Sequence, residues 1–254
     1  MSKILCCIPA RLASTRLPNK PLLKINGKTI INLVYEQVLK VKYNLDVIVL
    51  TDCDEIKNEV ESFGGRVAII TEDCLNGSER IITYLKNNNI TSYDIILNVQ
   101  GDEPFINPLD IEMAIENYFV NSDSNSLVCS TLYYETMDKE EVESRSRGKL
   151  VLNKNNDIMY CSRNIIPATK KNMYNPDMVY RIHVGIFVFK YSYLVNEYMK
   201  ENTYLQLQED IEWLKIIEQG YSINAVKIES AERGVDTIED YNHLIAKYQK
   251  STSE

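Results

Sequence analysis

The chain has only two histidines, His183 and His243, and its six cysteines (6, 7, 53, 74, 129 and 161) include no Cys-x-x-Cys pair. No ligand set has zinc spacing, so a structural zinc site is not expected. No apolar run approaches the ~18 residues that cross a bilayer. The start carries one lysine and an apolar stretch, residues 4–10, too short for a secretory signal. The cysteines are therefore expected as reduced, mostly buried thiols of a cytoplasmic protein with no membrane partner. Internal repeats and low-complexity tracts are missing too. Glycine is sparse, at nine residues. Gly27-Lys28-Thr29 looks like the end of a P-loop, but Leu22 stands where that loop needs its first glycine.

What remains is an ordinary globular composition: 254 residues, 44% hydrophobic and 25% charged. A chain of this length buries roughly three quarters of its unfolded surface. Its charge is unevenly spread. The first 35 residues hold Lys3, Arg11, Arg16, Lys20, Lys24 and Lys28 and no acid, while the whole chain is at −8. The acidic balance argues against a general nucleic-acid binder. A cationic segment on an acidic protein suits one small anionic ligand; chance clustering on a solvated surface is the alternative.

Short β-branched runs alternate with helical periodicity. Strands are expected at residues 3–8, 46–50, 66–70 and 94–99, and helices at 29–42, 54–63, 77–86 and 107–119, with Pro108 in the first turn of the last. Such alternation makes βαβ units and a mostly parallel sheet. Further on, 149–152 and 158–161 read as a hairpin around an Asn/Asp-rich turn. Strands at 184–189 and 222–226 and helices at 191–200 and 207–219 follow, and Thr237 with Asp240 opens a last helix with a capping box. The fold class is α/β, as a single domain over 1–254 with a smaller subdomain inserted at about 130–182.

Three segments carry chemistry. Residues 8–22 follow the first strand, at the end where open parallel sheets bind ligands. They hold Arg11, Arg16, Lys20, Ser14 and Thr15, and prolines fix their course. Arginine forks and a lysine point charge suit phosphate oxygens. The fourth strand runs into Gln100-Gly101-Asp102-Glu103-Pro104, a metal-site candidate because Mg²⁺ takes one or two carboxylates plus phosphate oxygens. Asp236, before the last helix, is either a cap or a second carboxylate for that metal. Asp52-Cys53-Asp54 spells the D-x-D of sugar-nucleotide glycosyltransferases, but at a helix start Asp is the default cap.

The segments IPARLASTRLPNKPL, NGSER, NVQGDEP, CSRNIIP, HVGIF and GVDTIED stand in the order and spacing of 3-deoxy-manno-octulosonate (Kdo) cytidylyltransferases, and the chain resembles that family over nearly its whole length. The resemblance implies a Rossmann-like nucleotidyltransferase sheet, a second subdomain that forms a homodimer, and transfer of CMP from CTP to a 2-keto-3-deoxy sugar acid with Mg²⁺. It places Arg11, Ser14, Thr15, Arg16 and Lys20 at the CTP phosphates, and Asn76, Gly77, Ser78 and Arg80 near cytosine and ribose. It gives Asp102 and Asp236 to the metal, and makes Arg11, Lys20, Asp102 and Asp236 the catalytic set. Gln100, Lys149, Arg163, His183 and Glu209 or Glu212 fall on the sugar side. By its own sequence setting, before an apolar strand, His183 reads as a core histidine. The chain departs from the family on that side, with Cys161 before Ser162-Arg163 and Phe187 where a tyrosine is usual. An amino-substituted Kdo or another capsular sugar acid is thereby an alternative substrate. A glycosyltransferase using Asp52 and Asp54, or a nucleotide-binding protein without turnover, are alternative functions.

Overall fold

The computed structural model describes residues 2–13, 16–170, 173–232 and 234–250. They group into two compact units, Met1–Ile111 with Glu232–Glu254, and Glu112–Ala231. The segment expected as an inserted subdomain, 130–182, lies within the second.

The first unit is built on four parallel strands. β1 (Ile4–Pro9) pairs with β4 (Leu45–Thr51) and with β6 (Ile95–Val99), and β4 pairs with β5 (Val67–Ile69). Their sequences are near-continuous apolar runs because parallel strands are covered on both faces: Ile4 through Ile8 and Ile95 through Val99 are all buried. A two-stranded ribbon, β2 (Lys24–Ile25) with β3 (Lys28–Thr29), turns at Asn26 and Gly27, both at positive φ. The P-loop look-alike is thus a hairpin turn. α1 (Ile30–Val38) follows directly, and the Thr29 hydroxyl accepts from the Asn32 N–H at its start. α2 (Asp54–Ser62), α3 (Gly77–Asn87) and α4 (Pro108–Asn121) match their expected positions.

Asp110 lies in the first turn of α4, and burial raises its carboxyl to about 6. The folded protein therefore holds a proton that the unfolded chain has released between about pH 4 and 6. Stability is expected to fall as pH rises through that window. In urea melts at pH 4.5 and 7, Asp110→Asn should remove much of the difference between the two midpoints.

The second unit centres on β7 (Leu127–Thr136), which the sequence reading left unassigned. Eight successive residues of it are buried, but Ser130 and Thr131 interrupt the apolar run, and only their tertiary partners make them core residues. After α5 (Lys139–Glu143), the hairpin of β8 (Lys149–Leu152) and β9 (Ile158–Ser162) forms as expected. β10 (Tyr180–Lys190) is longer than its predicted core and pairs antiparallel with β7 and β8. α6 (Tyr191–Asn196) ends early. The single helix expected over 207–219 is two, α7 (Tyr204–Glu209) and α8 (Leu214–Glu218), because Asp210 adopts a left-handed φ of 53° that ends the first. β11 (Ser222–Lys227) lies parallel to β7. α9 (Ile238–Lys250) belongs to the first unit again, where Tyr248 stacks on Phe105.

All six cysteines are free thiols, five of them buried. Among the described residues no helix is long and apolar enough to cross a membrane.

Candidate active site

β1 and β6 are parallel neighbours, so the loops leaving their carboxyl ends emerge side by side. Gly101 makes the approach possible: a Cβ there would meet the Pro9 carbonyl oxygen at 2.7 Å. That atom is backbone and cannot swing aside. Gly101→Ala should cost about 1–3 kcal/mol and shift the basic loop, lowering both the thermal midpoint and nucleotide affinity.

Across this junction the charges converge. Lys20 opens a 3-10 turn, Lys20–Leu22, after Asn19 at a left-handed φ of 56°. Its ammonium lies 2.7 Å from Asp102 Oδ2 and 3.3 Å from Asp236 Oδ1. Arg16 Nη2 is 3.1 Å from the same Asp236 oxygen. Burial alone would lower the Lys20 pKa; the two carboxylates outweigh it and raise it. The segments that carry Asp102 and Asp236 are also joined through the backbone, since the Val235 N–H donates to the Asp102 carbonyl at 2.8 Å.

The cap role considered for Asp236 is taken by its neighbours. Thr237 and Asp240 cap α9: Asp240 Oδ2 accepts from the Thr237 N–H at 3.0 Å, and Thr237 Oγ1 accepts from the Asp240 N–H at 3.2 Å. The Asp236 carboxylate is left to the cations. Two carboxylates from separate loops thus reach one positive atom, the Lys20 ammonium. Among the described residues no cluster of three or more His, Cys, Asp or Glu is placed to hold a metal. A divalent ion on Asp102 and Asp236 would complete its shell with ligand oxygens, and two hard carboxylates suit Mg²⁺ in the company of phosphates.

The other first-unit residues divide. Arg11 is exposed beside this cluster in sequence, and Gln100 is half-buried just past β6. Ser14 and Thr15 lie outside the described residues. Asn76 caps α3, accepting from the Glu79 N–H at 2.9 Å. Gly77 sits against Pro9, whose Cγ would be 3.1 Å from an added Cβ. Ser78 and Arg80 are buried. Arg80 donates to the Ile70 carbonyl at 3.0 Å and pairs with Asp52 Oδ2 at 3.3 Å, while Asp52 Oδ1 accepts from the Leu12 N–H. This corrects the reading of Asp52 as a cap: Cys53 holds the cap position of α2 without a side-chain bond, and Asp52 anchors the basic loop to Arg80.

On the second unit, the sugar-side candidates form one polar knot plus one aromatic cluster. Lys149 is fully buried, its ammonium held by the carbonyls of Ser144, Arg147 and Arg163 at 2.7, 2.8 and 2.6 Å. Burial lowers it to about 8, with Arg163, Arg145 and Arg147 adding repulsion. It stays charged at neutral pH, and its three N–H groups are all used. Arg163 donates to the carbonyls of Arg145, Ser146 and Asp210. Glu209 accepts from Tyr160, from Ser162 and from the Arg163 N–H. Glu212 is half-buried, and its carbonyl accepts from the Tyr198 hydroxyl at 3.2 Å. His183 borders the knot through its backbone, its N–H donating to the Gly148 carbonyl at 2.9 Å; its Nε2 is 2.9 Å from Thr131 Oγ1, and its ring packs on Phe187 and Trp213 with centroids at 5.2 and 5.0 Å. Burial pushes its pKa down, so the imidazole is neutral. Sequence reasoning missed Thr131 and Trp213, which have no local signal, and the role of Gly101, which sits in plain view inside the Gln-Gly-Asp motif.

Residues 5–228 match the cytidylyltransferase family model. A 3-deoxy-manno-octulosonate cytidylyltransferase of Protochlamydia amoebophila is 38% identical over 243 residues, covering 95% of this chain and 93% of that relative. The chain belongs to the 3-deoxy-manno-octulosonate cytidylyltransferase family. A second family member, from Fusobacterium nucleatum, is 37% identical over 96% of both chains. In three dimensions, a CMP:2-keto-3-deoxy-manno-octonic acid synthetase solved in complex with CTP superposes with a TM-score of 0.87 at 31% identity, over 98% of this chain and all of the other. The fold alone extends to a cytidylyltransferase from Leptospira borgpetersenii, 18% identical with a TM-score of 0.62 over 100% of this chain and 96% of that one. As a family member the protein is a nucleotidyltransferase, and the expected α/β fold with a largely parallel sheet is the one observed.

Proposed function

We propose that this protein transfers CMP from CTP to the anomeric 2-hydroxyl of Kdo, releasing pyrophosphate. The observation that carries it is the convergence of Asp102, just past β6, and Asp236, just before α9, on the Lys20 ammonium beside Arg16. The names of the family relatives and the CTP complex of the structural neighbour support the substrates.

The hydroxyl oxygen attacks the α-phosphorus in line, the bond from that phosphorus to the bridging oxygen breaks, pyrophosphate takes the electron pair, and the hydroxyl proton leaves to solvent. Asp102 and Asp236 would hold Mg²⁺, which when bound supplies Lewis acidity to the attacking oxygen and the α-phosphate. Arg11, Arg16 and Lys20, with Ser14 and Thr15, hold the triphosphate, and the cations offset charge developing on the leaving group. For this Lys20 must exchange its carboxylate partners for phosphate oxygens. Asn76 and Gly77, at the start of α3, serve the nucleoside, and Ser78 and Arg80 brace them. Gln100, Arg163, His183, Glu209 and Glu212 serve the sugar acid, and Lys149 holds the loop of Arg145 and Arg147 in place. The second unit, including 130–182, is the dimerisation region in this reading. The enzyme works in the cytoplasm as a homodimer, and its product feeds lipopolysaccharide or capsule.

The test is pyrophosphate release from CTP and Mg²⁺ with Kdo and related 2-keto sugar acids offered separately. Release with Kdo is the expected result. Release only with an amino-substituted or other sugar acid would show that Phe187 and its neighbours re-specify the pocket. Release of a nucleoside diphosphate from a nucleotide sugar would overturn the reading in favour of glycosyl transfer.

A further inference from the structure

Thr131 lies opposite the one irregularity in the pairing of β7 with β10. Leu132 pairs with Val184 and Ser130 with Val188, so Thr131 faces three residues, Gly185, Ile186 and Phe187. Such a bulge leaves carbonyls without ladder donors. The buried Thr131 hydroxyl supplies one: its oxygen is 2.7 Å from the Ile186 carbonyl and 3.3 Å from that of Val184. The same oxygen is 2.9 Å from His183 Nε2.

A hydroxyl has one hydrogen. Here it goes to the closest acceptor, the Ile186 carbonyl, so toward His183 the hydroxyl oxygen can only accept. Nε2 must then carry the imidazole proton. The ring is neutral, so Nδ1 keeps a bare lone pair. Nδ1 has no partner among the described residues, and His183 is partly exposed. Phe187 and Trp213 hold the ring plane from their side.

We infer that Thr131 is a positioning residue that fixes His183 in the Nε2–H tautomer, so that His183 takes the sugar acid through Nδ1 as an acceptor for a hydroxyl group and not as a cation for its carboxylate. The inference rests on the proposed function for the identity of the ligand; the tautomer does not. Threonine at 131 is needed because the bulge and the imidazole make opposite demands on one atom, a donor and an acceptor. Valine meets neither, and serine meets both.

The chain's two histidines make the test direct. With His243→Gln removing the second ring, long-range ¹H–¹⁵N spectra of the ligand-free protein report His183 alone. The expected result is a protonated Nε2 and a bare Nδ1, unchanged from pH 5 to 8. Thr131→Val should shift the ring toward a mixture of tautomers, and Thr131→Ser should restore it. In kinetics, Thr131→Val should raise KM for the sugar acid about tenfold, with kcat and the KM for CTP within twofold, and Thr131→Ser should again restore it. A wild-type Nδ1–H tautomer, a ring that titrates near 6.5, or an unchanged tautomer in Thr131→Val overturns the inference. If the spectra are as expected but no sugar acid is turned over, the acceptor role toward a sugar falls together with the proposed function, while the tautomer assignment stands on its own.

Discussion

Asp102→Asn should lower CMP-sugar formation by about a thousandfold, within the range seen when a group that stabilises developing charge is removed. The amide keeps the shape of the carboxylate and loses its charge. Asp102 and Asp236 meet on a single cation 2.7 and 3.3 Å away, so removing one halves the negative charge offered to that point. Folding should barely notice. The carboxylate is partly exposed, and ion pairs of that kind contribute about 0–1 kcal/mol. Loss of turnover with an unchanged unfolding midpoint is therefore the expected pair of results. A Mn²⁺ titration in the presence of CTP should show the metal bound more weakly by the variant. An Asp102→Asn enzyme with full turnover would remove Asp102 from the catalytic set.

Lys149→Met should destabilise the protein by about 3–5 kcal/mol, the cost of removing one partner from a buried charged hydrogen-bond network. The alkyl stem is kept, so little packing is lost. What is lost is the donor to three part-buried carbonyls, those of Ser144, Arg147 and Arg163. Each unsatisfied carbonyl costs about 1–3 kcal/mol, less whatever a water recovers. The check is a urea denaturation curve: the midpoint should fall while the slope stays the same. A loss under about 1 kcal/mol would mean that the carbonyls find other donors and that Lys149 is no clamp. The same variant should weaken sugar-acid binding through Arg163, whose carbonyl Lys149 holds and whose guanidinium grips the carbonyls of Arg145 and Ser146.

Much of the first unit could be read along the chain because its physics is local. Parallel strands buried on both faces are near-continuous apolar runs, and helices between them show their period, so β1, β4, β6, α1 to α3 and the start of α4 stand close to where periodicity put them. The basic loop and Gln-Gly-Asp motif were legible for a related reason: cations without acids, and an acid at a strand end, are unusual enough to point to chemistry. The second unit was less legible. Its central strand carries Ser130 and Thr131, polar residues that enter a core only when partners satisfy them, and those partners lie in β10 and α4. A helix break at Asp210 depends on one left-handed residue, which periodicity does not register.

By itself, then, the sequence determined the α/β class, the order of most elements, the family, and the small set of charged residues proposed for phosphate and metal. Only the tertiary structure decided which of those residues face one another. It separated Asp236, left to the cations by the Thr237 cap, from Asp52, spent on Arg80 and Leu12. It gave the Lys149 ammonium to three backbone carbonyls, and it paired Thr131 with His183 across 52 positions of chain. Each of these outcomes depends on hydrogen-bond partners distant in sequence, and a donor or acceptor acquires its role only when the fold has chosen what stands within 3 Å of it.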